Sequence, residues 1–83
     1  MSQSVASRNA RPHEADELYE VESQVQRQME GRVQDFRLVR EDRGLVLLGQ
    51  THSYYMKQLV QEAVRQFSEL PIAANRIAVR KLP

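Results

Sequence analysis

This 83-residue chain has two histidines, His13 and His52, and no cysteine. His13 lies in a polar N-terminal stretch and His52 closes an apolar run, so no spacing brings either to a serine and an acid. A Ser-His-Asp arrangement has no support. Without a thiol there is no thiolate to attack a substrate or hold a metal, and no disulfide. The acids fall where acids are ordinary. Glu14, Asp16 and Glu17 open a helical stretch, where the helix dipole favours negative charge. Glu41 and Asp42 precede the turn glycine Gly44. Neither group has the spacing of a metal site. Gly31, Gly44 and Gly49 do not form a phosphate loop. The chain is expected to be no enzyme, with no metal and no cofactor.

The charge pattern narrows the partner. The net charge is +1, but it is unevenly spread. Residues 14–30 carry Glu14, Asp16, Glu17, Glu20, Glu22 and Glu30 against Arg27 alone, whereas residues 31–83 are net basic. Lys57 and Lys81 are the only lysines among 12 basic residues, so most cations are arginines, suited to fork-like pairing with carboxylate or phosphate. The excess is too mild for a nucleic-acid binder. The N-terminus lacks the apolar run of a signal peptide and no segment approaches a membrane span, so the expectation is a soluble, cytoplasmic protein.

The elements that must position any site follow from periodicity. Residues 1–13 are small, polar and basic and read as a disordered tail, leaving 14–83 as one domain. Over 14–30, Leu18, Val21, Val25 and Met29 form one apolar helical stripe, and Gly31 suits a C-terminal cap. A strand over 33–41 puts Phe36 and Leu38 on one face, with Arg37 and Val39 on the other. A turn at Asp42-Arg43-Gly44 leads to a strand over 45–52. There Leu45, Leu47 and Thr51 point one way, and Val46, Leu48 and Gln50 the other. Gly49 inside that strand implies a bulge or a close approach. Ser53 is an N-cap for a second helix with Met56, Leu59, Val60, Ala63 and Phe67 on its apolar side, Tyr55 beside them, and Tyr54 with the polar set. Pro71 stops that helix, and 72–79 form a last strand with Asn75, Ile77 and Val79 on one face.

The order is αββαβ. It predicts an α+β two-layer sandwich, a three-stranded mixed sheet with two helices on one face. The expected core holds Leu18, Val25, Phe36, Leu45, Leu47, Leu59, Ala63, Ile77 and Val79. Similar small layers occur in RNA-binding modules that grip the backbone with a Gly-x-x-Gly loop; this chain has none.

Two sequence patterns together resemble the BON domain, the module named for bacterial osmotic-shock and nodulation proteins. The first is Gly44-Leu45-Val46-Leu47-Leu48-Gly49 followed by Ser53. The second is Asn75-Arg76-Ile77-Ala78-Val79, with an alanine-bearing helix over Gln58 to Phe67 between them. The resemblance covers roughly residues 18–80. It implies a non-enzymatic module that binds phospholipid surfaces or other proteins.

Two surfaces are candidates for such binding. One is the outer sheet face, Val39, Val46, Leu48 and Ala78, rimmed by Arg37, Arg76 and Arg80. Both helices are committed to the inner face, so this apolar set is expected to stand exposed and to serve self-association, as in a homodimer, or a contact with another protein. The other is the polar stripe of the second helix, Tyr54, Lys57, Gln61 and Arg65, which suits anionic lipid.

Overall fold

The computed structural model of the chain describes residues 12–81. Helix α1 (Pro12–Met29) leads into strands β1 (Gln34–Glu41) and β2 (Gly44–Thr51), helix α2 (Tyr54–Phe67), and two short strands, β3 (Ile72–Asn75) and β4 (Ala78–Val79). Of the tail expected over 1–13, residues 1–11 lie outside the described residues, and α1 starts at Pro12, where proline's fixed φ suits a first helical position.

Local chemistry ends the helices as the sequence predicts. Glu30 (φ 54°) and Gly31 (φ 83°) turn the chain out of α1. Ser53 is extended (φ −155°, ψ 160°), and its Oγ accepts the Met56 backbone N–H at 3.1 Å, which starts α2.

The sheet is mixed. β1 pairs antiparallel with β2, in a register that sets Val39 against Val46 and Leu38 against Leu47. β2 pairs parallel with β3 and then with β4. The register slips between Gln34 and Arg37, where Asp35 takes φ 54°. Gly49 lies opposite that bulge. A Cβ there would sit 3.0 Å from the Gln34 carbonyl oxygen and 3.3 Å from Phe36 Cα, so the bulge and the close approach expected of Gly49 occur together.

The single strand expected over 72–79 is two strands, which corrects the count from three to four. The chain leaves the ladder at Arg76 and Ile77. Asn75 makes the break: its Oδ1 accepts the Ile77 N–H at 3.2 Å. Its Nδ2 donates to the Lys57 carbonyl at 3.2 Å and to Gln61 Oε1 at 3.1 Å, tying the break to α2.

One core lies between the helices and the inner sheet face. It joins Val21, Val25 and Met29 of α1 to Phe36, Leu38, Leu45, Leu47 and Ile77, and to Val60, Ala63 and Val64 of α2. Leu18 and Leu59 are only partly buried against it, and Val79 is half-buried, short of the full burial expected. Val64 completes the buried stripe of α2 instead. Phe67 (36% exposed) and Tyr55 (68% exposed) sit at the two ends of α2 and are less buried than that stripe.

Candidate docking surfaces

The outer sheet face carries the side chains that alternate away from the core. Val39 and Val46 are paired, Val46 pairs on to Ala74, Arg37 lies against Leu48, and Gln50 against Ala78. Strand pairing therefore assembles most of the predicted face. It does not leave that face uniformly exposed. Val39 is 39% exposed, but Val46 is only 4% exposed, and Leu48 is half-buried. The correction has a plain cause. Val46 is in the central strand between β1 and β3, and neighbours on both strands cover a short branched side chain. Ala78, Arg37, Arg76 and Arg80 are exposed as expected.

Val46 and Ala74 line an open depression of about 560 Å³, together with Ala73, Glu41, Asp42, Arg43 and Arg76. Its charge is mixed, because the β1–β2 turn brings two acids opposite Arg76. Sequence reasoning missed Glu41, Asp42 and Arg43 as members of this surface, since only the pairing of Leu45 with Ile72 draws the turn beside β3.

Neither edge of the sheet is an open ladder. Along β1, Glu22 Oε2 accepts the Leu38 N–H at 2.8 Å and Gln26 Nε2 donates to the Phe36 carbonyl at 3.4 Å, both from α1. The other edge is irregular: register slips within β3, and the Asn75 turn separates β3 from β4. Bulges and breaks of this kind discourage strand addition.

The helical stripe is only partly as predicted. Tyr54 is 70% exposed, the Lys57 ammonium stands 5.8 Å from its ring centroid, and Arg65 is exposed. Gln61 is half-buried and bound to Asn75, so it faces β3 rather than open solvent and leaves the stripe. Tyr55, at the start of α2, is exposed. His52 is exposed beside Tyr54, and its Nδ1 lies 2.9 Å from the Arg80 carbonyl. A carbonyl only accepts, so Nδ1 carries the proton in this contact.

Among the described residues, no group of three or more His, Asp or Glu side chains is placed to hold a metal ion, and no buried side-chain nitrogen or oxygen lacks a partner. No described helix is long and apolar enough to cross a membrane. No family model, curated protein or solved structure matches the chain.

Proposed function

We propose that the chain is a non-catalytic binding module of the BON type that docks a protein through the outer face of its sheet. One observation carries this reading. Both helices pack on the inner face, and side chains or irregularities occupy both edges, so the outer face is the part of the sheet left for a partner. Val39, Leu48 and Ala78 supply apolar contact there. The acids Glu41 and Asp42 beside Arg43 and Arg76 favour a protein surface of mixed charge, since they would repel an anionic lipid or nucleic acid. A photo-reactive residue placed at Val39 in cells should capture a partner that the same probe at Glu62, on α2, does not. Leu48→Lys should abolish the capture. Equal labelling at both positions refutes the reading.

A second reading, peripheral binding to anionic lipid, draws on Tyr54, Lys57 and Arg65. Exposed tyrosine with flanking cations suits a membrane interface. Vesicles rich in phosphatidylserine should then sediment the protein at low salt, and Lys57→Ala/Arg65→Ala should prevent it. Sedimentation equal for the variant and the native chain removes this reading.

A further inference from the structure

Helix α2 has a different surface at each of its ends. At its start, the carboxyl ends of β2 and β4 lie together. The Arg80 N–H donates to the Thr51 carbonyl at 2.8 Å, and His52 bonds back to the Arg80 carbonyl. Tyr54, Tyr55, Lys57 and Lys81 share this end. Residues 43–61 and 70–81 contain no Asp or Glu, so nothing in these segments offsets the cations.

At the other end of α2, a groove of about 410 Å³ runs between α1 and the chain leaving the helix. Leu18, Phe67 and Leu70 supply its apolar lining, and Glu17, Glu20 and Glu69 its charge. Among the described residues, no basic side chain lines it. Arg65 is close in sequence to Phe67 but projects from the opposite side of the helical wheel.

One surface is aromatic and cationic; the other is apolar and anionic. The 14 residues of α2 hold them about 20 Å apart, so a single copy cannot join its own two ends. A net charge of +1 leaves no general repulsion between copies. We infer that the chain self-associates head to tail, the Tyr54–Tyr55 end of one copy seated in the Glu17–Glu69 groove of the next. This contact is distinct from the sheet face. It is heterologous, so it builds beyond a dimer, into a closed ring or an open chain.

Sedimentation velocity on the full chain tests it. At low salt the weight-average mass should rise past the dimer as concentration increases, and it should fall toward the monomer at 1 M salt, where screening acts over about 3 Å. Lys57→Glu/Lys81→Glu should be monomeric, and so should Glu17→Lys/Glu20→Lys. Their equimolar mixture should associate again, because each variant then supplies the charge that the other lacks. Unfolded variants could not produce that rescue. A native chain that stays monomeric at about millimolar concentration overturns the inference. So does either variant associating alone, or a mixture that stays monomeric. Val39→Glu/Leu48→Lys should leave the association intact; its loss there would assign self-association to the sheet face instead.

Discussion

The carboxylate of Glu22 accepts the backbone N–H of Leu38 at 2.8 Å, so a helix side chain takes the place of a neighbouring strand on β1. Gln26, one turn on, does the same for the Phe36 carbonyl. The spacing matches: four helical residues rise about 6 Å, and two strand residues about 6.6 Å. Helix α1 thus occupies two backbone groups on the edge of β1 while its apolar stripe fills the core. An uncovered edge would offer unpaired N–H and C=O groups to another chain.

Removing that cover should cost stability and expose the edge. Glu22→Ala leaves the Leu38 N–H without its acceptor and should destabilise the domain by about 1–3 kcal/mol. Glu22→Gln keeps an oxygen in place and should lose less. Urea unfolding measures both, and hydrogen exchange at the Leu38 amide should speed up only in the alanine variant. Unchanged exchange there would mean the bond contributes nothing to the edge.

Gly44 and Gly31 both have positive φ, but they should respond differently to a side chain. Gly44 (φ 134°) packs against Pro71, and a Cβ would collide with the Pro71 carbonyl oxygen, which accepts the Leu45 N–H at 2.8 Å. Gly31 (φ 83°) has open space around it. Gly31→Ala should therefore cost only the backbone strain, about 1–2 kcal/mol. Gly44→Ala adds the clash and should cost more, enough to unfold much of a small domain. Chemical melts showing equal losses would contradict the Pro71 contact.

Val39 and Val46 are partners across β1 and β2, yet their substitutions should diverge. Val39→Glu places a charge at an exposed site and should change stability by no more than about 0.5 kcal/mol. Val46→Glu puts an unpaired charge in a buried one and should cost about 3–5 kcal/mol. Thermal unfolding of the two variants decides the point. If Val46→Glu melts like the native chain, the centre of the outer face is open after all. Val39 and Leu48 are accordingly the positions to change when probing the face without unfolding the protein.

The sequence by itself determined what depends on neighbours along the chain. The stripe Val21-Val25-Met29, the inward pair Leu45 and Leu47, the Ser53 cap and the bulge with its close approach at Gly49 are consequences of helical or strand period and of backbone sterics, and all occur as predicted. Tertiary structure decided whatever depends on residues distant in sequence. Val46 has the alternation of an exposed residue but is covered because β1 and β3 flank it. Gln61 lies on a polar helical stripe but is held by Asn75, which also divides one expected strand into two. Glu22 reads as a surface acid until α1 lies along β1. Arg80 comes beside His52 only because β4 ends next to the start of α2. Periodicity reports which way a side chain points; what it meets there depends on how the elements pack.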